Sequence, residues 1–355
     1  MRPLRTRLLA AFLILPALTL LLLVSDRRFV PPSPPEDKPR ALVALGDSTI
    51  SGEGAGDYER GTDGENGNWC HRSANALIHR TAVPGVERTI NLACSGANAD
   101  HVALTDAQHY NEGSQTRRLA EVARDNRITA VVVGVGANDD PRFSDIVMRC
   151  LWAWFLKDGP DCNRDAGKEW SDRVDRMVPK VTKALTDVRS VMRRAGYPDN
   201  SYTLVLQSYA APVGTSVSPS LQNLNGCPFR SSDLRWVEDN AVGRLAAGLH
   251  RAADLVGARF LDMSRAARGH EACAGGTDTS REWFARLALD FNALRDNQRA
   301  EHFSQESFHP NARGHNQFGR CLGEFLTTKH EDAACLLGPD GSLHPVPNQA
   351  VRASG

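Results

Sequence analysis

Four short segments of this 355-residue chain collect the residue types that acyl chemistry uses. They are Gly46-Asp47-Ser48-Thr49, Ser95-Gly96-Ala97-Asn98, Gly136-Ala137-Asn138-Asp139-Asp140 and, far downstream, Glu306-Ser307-Phe308-His309-Pro310-Asn311. A serine hydroxyl attacks a carbonyl effectively only when a base removes its proton. An imidazole, with an ordinary pKa of about 6.5, can take and return that proton near neutrality. Backbone N–H groups and an uncharged amide can hold the oxyanion that follows. No Gly-x-Ser-x-Gly elbow, phosphate-binding loop, His-Glu-x-x-His pair or well-placed dinucleotide loop accompanies them, so neither a metal nor an organic cofactor is implied.

These segments need a scaffold that brings distant loops together. Ala41 to Leu45 is a short run with no polar face, as expected of a strand buried on both sides of a parallel sheet. Further strand candidates are Thr89–Ala93, Ala130–Val135, Thr203–Gln207 and Arg259–Met263. Between them lie helical patterns. The clearest, Ser171 to Arg194, has apolar residues at three- and four-residue spacing, with Pro179 expected to kink or break it. Other helices are expected between Ser232 and Val256 and after Pro310. Such alternation predicts β-α-β units in a three-layer α/β/α sandwich around a mostly parallel sheet. Parallel sheets gather functional loops at the carboxyl ends of their strands. Three of the four polar segments directly follow a strand candidate, and the fourth precedes the last helix.

Taken in order, the four segments resemble the SGNH, or GDSL-type, hydrolase family. The likeness runs from Ala41 to about Leu326. Ser51-Gly52-Glu53-Gly54 and Asn68-Trp69-Cys70-His71-Arg72-Ser73 resemble its secreted actinobacterial esterase and lipase branch. The resemblance implies a flavodoxin-like sheet and hydrolysis of carboxylic esters through an acyl-enzyme. It implies Ser48 as nucleophile and His309 as base, with the N–H groups of Ser48 and Gly96 and the amide of Asn138 as oxyanion hole. A serine after a strand can also be a mere helix cap, but that leaves the other segments unexplained. Most relatives carry Asp three residues before the histidine, where this chain has Glu306. Either the Glu306 carboxylate or a backbone carbonyl of its segment would then hold the imidazole. An acyltransferase, carbohydrate esterase or phospholipase would share these segments. A non-catalytic surface-tethered binding module is the rival from another class.

The remaining features bear on compartment and substrate. Forty-two Lys and Arg balance forty-two Asp and Glu, so no net field favours nucleic acid. Arg2, Arg5 and Arg7 precede the uncharged, largely apolar run Leu8–Val24, which predicts export by a signal peptide or signal anchor over residues 1–29. An uncleaved segment would tether the chain to the outer face of the membrane. A Pro-rich linker occupies 30–39, the hydrolase domain 40–337, and a frayed, disordered tail is expected over 338–355. Eight cysteines without a Cys-x-x-Cys pair suit disulfides in an exported chain. They allow 105 pairings. Sequential pairing is expected: Cys70–Cys94, Cys150–Cys162, Cys227–Cys273 and Cys321–Cys335. Between Pro141 and Asp161, Trp152, Trp154 and Phe155 are expected to wall an acyl pocket, or else to belong to a helix packed on the core. The partner is thus a small-molecule or lipid ester.

Overall fold

The computed structural model describes residues 33–289, 302 and 304–348. The compact unit that carries the polar segments begins at Pro34. The N-terminal segment 1–29 and the tail from 349 lie outside the described residues. Among the described residues, no helix is long and apolar enough to cross a membrane.

Strand β1 (Arg40–Gly46) is buried at every residue but its first, which requires cover on both faces. It pairs in parallel with β2 (Arg88–Asn91) on one side and β3 (Arg127–Gly134) on the other. Beyond β3 come β4 (Thr203–Gln207), β5 (Arg259–Asp262) and β6 (Asp332–Leu337), also parallel. The order β2-β1-β3-β4-β5-β6-β7 reverses direction at β1, which places a topological switch point between β1 and β3. Loops leaving those two strands part above the sheet and open a crevice at their carboxyl ends.

Short helices α1 (Ser48–Ser51) and α2 (Ala99–Val102) follow β1 and β2. They are succeeded by α3 (Gln115–Asp125), α4 (Phe143–Phe155) and α5 (Asn163–Arg194). The chain continues through α6 (Ser231–Trp236), a π turn at Val237–Ala241, and α7 (Val242–Val256). The last helix is α8 (Ala312–Thr327). Helices α5 and α7 meet closely at Gly248, where a Cβ would lie 2.3 Å from Val174. Helix α8 packs instead on the 3-10 turn Leu77–Arg80 through Gly319, and on Ala82 just past it through Gly323.

Two expectations are corrected. Helix α5 begins at Asn163 and runs on through Pro179 to Arg194. Pro179 lies on the exposed face, where the carbonyl that its missing N–H leaves unpaired faces water. The tail is not frayed from 338. Leu343–Pro347 forms β7, antiparallel to β6 from Leu337↔Leu343 to Ala333↔Pro347, and buries Leu343. A turn at 338–342 lets it cover the sheet edge, and its prolines suit an edge strand.

All four disulfides pair sequentially: Cys70–Cys94, Cys150–Cys162, Cys227–Cys273 and Cys321–Cys335. The last joins α8 to β6, and the second joins α4 to the start of α5.

Candidate active site

The nucleophile turn is fixed from below. Gly46 has φ +143°, and a Cβ there would fall 2.0 Å from the Gly134 carbonyl oxygen, so only glycine lets β1 end this close to β3. The Gln115 side chain accepts from the Gly46 N–H at 2.7 Å and donates to its carbonyl at 2.8 Å. Asp47 caps α1, its Oδ1 accepting from the Thr49 N–H at 3.1 Å and the Thr49 hydroxyl at 2.9 Å. The Tyr209 hydroxyl, just beyond β4, donates to Asp47 Oδ2 and accepts from the Ala137 N–H at 3.2 Å. Burial pushes the Asp47 carboxyl up to about 6, against the opposing hydrogen bonds from Tyr209 and Thr49.

Ser48, nearly buried, is thereby presented at the start of α1. Its Oγ lies 2.8 Å from Nε2 of His309. Their separation of 261 residues is closed by the loop that leads into α8. Burial lowers the His309 pKa, and the charge of Glu53 and the carbonyls of Ser307 and Gln305 oppose that. His309 Nδ1 is buried and has no hydrogen-bond partner among the described residues.

Glu306 is placed differently from the side-chain triad expectation. Its carboxylate is exposed and accepts from the Tyr58 hydroxyl at 2.7 Å, while its backbone carbonyl accepts from the His309 N–H at 3.3 Å. The longer side chain carries the carboxylate out to Tyr58 rather than under the imidazole.

Gly96 and Asn138 border the same cleft as Ser48 and His309. Gly96 has φ +80°, and its open face leaves the backbone accessible where a side chain would intrude on His109. Asn138 Nδ2 donates to the Ala97 carbonyl at 3.0 Å, which ties the third segment to the second and leaves one amide proton for the cleft. Asp139 reinforces this tie by accepting from the Ala99 N–H at 3.0 Å. The Cys70–Cys94 link stands beside Ser95, whose N–H donates to the Cys70 carbonyl at 3.0 Å.

The cleft is about 330 Å³. One side is apolar, made of Phe143, Val147, Met148 and Leu151 from α4 with Val242 and Leu245 from α7. The expected wall residues lie further along. Trp152 and Phe155 are 55% and 56% exposed and do not line the cleft, and Trp154 is half-buried outside it. The apolar stripe of α4 runs on for another turn past the residues that face Ser48, so its aromatic end meets solvent. Two other histidines near His309 in sequence do different work. His315 is fully buried and accepts from the Leu77 N–H at 3.1 Å, whereas His302 stacks on Trp69 at 4.3 Å.

Several site residues are invisible to motif reading. Tyr209, Gln115 and Gln305 are single polar residues whose partners lie far off in sequence. A signal for Tyr209 existed, since it directly follows a strand's carboxyl end. Glu53 is fully buried between two glycines, an unusual place for a lone acid.

The model of the GDSL-like lipase/acylhydrolase family matches residues 44–317. "Lipase 2" of Streptomyces coelicolor is 26% identical over 271 residues, covering 73% of this chain and 83% of that protein. The solved extracellular lipase of Streptomyces rimosus is 21% identical with a TM-score of 0.49, covering 78% of this chain and 94% of that one. Phospholipase A1 of Streptomyces albidoflavus is 19% identical at the same TM-score of 0.49, covering 81% and 96%.

Proposed function

The chain belongs to the GDSL-like lipase/acylhydrolase family and is a carboxylic ester hydrolase, and from that premise we propose an exported esterase working through an acyl-enzyme on Ser48. The observation that carries this reading is the 2.8 Å contact between Ser48 Oγ and His309 Nε2 at an apolar cleft.

In this mechanism His309 Nε2 takes the Ser48 proton as Oγ attacks the ester carbonyl carbon. The N–H groups of Ser48 and Gly96 and the Asn138 amide receive the oxyanion. Collapse expels the alcohol, which takes the proton back from His309, and the acyl group stays on Ser48. A water then attacks by the same path and frees the acid. Among the described residues no carboxylate touches Nδ1, so the imidazolium rests on nearby backbone carbonyls and the field of Glu53. The reading is thus a Ser–His dyad without a hydrogen-bonded acid. The apolar side built by α4 and α7 suits an acyl chain of several carbons. Four disulfides suit an oxidising compartment, consistent with export by the N-terminal segment and with release or tethering at the outer membrane face.

The test is hydrolysis of p-nitrophenyl esters of graded chain length by the purified enzyme. Activity should vanish in Ser48→Ala and His309→Ala with the thermal transition little changed. Wild-type rates in Ser48→Ala would overturn the assignment.

A further inference from the structure

We propose that Glu53 is the buried positioning residue of this site, a carboxylate that joins three of its loops and supplies the negative charge toward which His309 is protonated. The proposal rests on the esterase reading and adds to it a residue outside the four segments.

Glu53 is fully buried, just past α1. Its N–H donates to the Ser48 carbonyl at 3.1 Å, which ties it to the nucleophile turn. Its carboxylate accepts from three directions. Ser95, the neighbour of Gly96, donates its hydroxyl at 2.7 Å. Gln305, four residues before His309, donates Nε2 at 2.7 Å, and the same amide reaches the Trp69 carbonyl at 3.2 Å. His71 Nδ1 lies 2.8 Å and 3.0 Å from the two oxygens. Thus Glu53 is bonded to the nucleophile, glycine and histidine loops at once. The next residue, Gly54, lies against the base of the His309 side chain, since a Cβ there would sit 3.0 Å from His309 Cβ.

A buried carboxylate without donors would take up a proton. Here burial acts to raise the Glu53 pKa, but the hydrogen bond and charge of His71, with the charge of His309 and the hydrogen bond from Ser95, together hold the group below its usual range. These donors favour the carboxylate anion of Glu53. Other groups also face this pocket. Tyr58 stacks on His71 with ring centres 4.2 Å apart and donates to Glu306. Asp63 lies 3.3 Å from His71 Nε2. Tyr110 and His315 complete the surroundings, the latter too deeply buried to be charged. His71, as a cation, opposes protonation of His309, while the field of Glu53 favours it more strongly. This arrangement gives a dyad without a hydrogen-bonded acid the counter-charge a triad would draw from its carboxylate.

The test is the pH profile of kcat/KM for a p-nitrophenyl ester in wild type, Glu53→Gln and Glu53→Asp. In Glu53→Gln the acidic limb, which reports neutral His309, should move about one unit toward acid, with kcat/KM reduced about tenfold or more at its plateau. Glu53→Asp should hold the limb near the wild-type position because it keeps the charge. A structural brace alone would lower the melting temperature and leave the limb in place, and that result overturns the proposal. Should Glu53→Gln fail to fold, Glu53→Asp still reads the charge, and the half-buried Gln305→Met tests the bridge to the histidine loop with that charge in place. A fall in kcat of about tenfold with KM unchanged supports the bridge to the histidine loop, and wild-type kcat overturns it. Wild-type enzyme inactive on every ester would remove the esterase reading itself, whereas an active wild type with an unmoved limb in Glu53→Gln removes only the role of Glu53.

Discussion

Replacing Tyr209 by Phe deletes one oxygen from beneath the nucleophile turn, and its cost should depend on pH. The hydroxyl donates to Asp47 and accepts from the Ala137 N–H, and both partners are buried. With the Asp47 carboxyl pushed up to about 6, the group is neutral in the folded enzyme at pH 5 and ionised at pH 8. A hydrogen bond between neutral groups is worth about 0.5–1.5 kcal/mol, and one to a charged acceptor about 1.5–3 kcal/mol. The variant should therefore lose roughly 1 kcal/mol at pH 5 and roughly 2.5 kcal/mol at pH 8. Linkage gives the same sign. An acid whose folded pKa exceeds its unfolded value of about 3.9 binds more protons when folded, so its contribution to stability falls as pH rises from about 4 to about 6. Removing the phenol donor raises the folded pKa further and extends that decline to higher pH. Thermal melts of both proteins at several pH values measure the gap directly. At roughly 2–4 °C per kcal/mol, the gap should widen by about 3–6 °C between pH 5 and pH 8. A gap that is constant or narrows with rising pH would refute the placement of Tyr209 on an ionising Asp47.

Glu306→Gln should retain most of its turnover, since its carboxylate is bonded to Tyr58 and not to His309; a loss near the roughly 10⁴-fold seen when a protease triad loses its acid function would restore a side-chain triad. Replacing Cys70 and Cys94 together by Ser opens a link across 24 residues and should cost about 3 kcal/mol, lowering both the melting temperature and turnover through the Ser95–Gly96 loop. A melting temperature within a degree of wild type would contradict that. Leu151→Asn places an amide in the apolar side of the cleft and should cut kcat/KM on octanoate esters about tenfold or more while sparing acetate; Trp152→Ala, on the exposed end of α4, should leave soluble short esters unaffected. An equal loss on both chain lengths in Leu151→Asn would mean that the acyl chain lies elsewhere.

Much of this was legible in the chain itself, and the pattern of what was not has physical causes. Strands buried on both faces announce themselves as unbroken apolar runs, so β1, β3 and β4 could be placed to within a few residues, and with them the loops that carry Ser48 and Asn138. Strand β7 gave no such signal, because an edge strand of Leu-His-Pro-Val-Pro buries little and avoids the pairing that prolines cannot make. The start of α5 was obscured since its first turns, Asn163 to Trp170, bury only Ala166 and Trp170 and are otherwise mostly polar. The order of the polar segments located the cleft, yet not its depth. A helical stripe shows which residues share a face, not where along it the cleft ends, so Trp152 and Phe155 were expected where Val147, Met148 and Leu151 stand. Glu306 shows the same limit. Its sequence position is that of a triad acid, but one added methylene and a phenol 248 residues away decide where the carboxylate goes. Glu53 and Tyr209 act through partners that only the fold brings near.

The whole mechanism depends on Ser48 forming the covalent bond to the acyl group and on His309 activating it. Both roles are tested by reacting the purified enzyme with a p-nitrophenyl alkylphosphonate, which phosphonylates an activated serine, followed by intact mass and peptide mapping. One adduct per chain is expected, on the peptide bearing Ser48, formed with release of one equivalent of p-nitrophenol and strongly slowed in His309→Ala. An adduct confined to another residue, or ester turnover that persists once Ser48 is fully modified, would contradict the acyl-enzyme on Ser48.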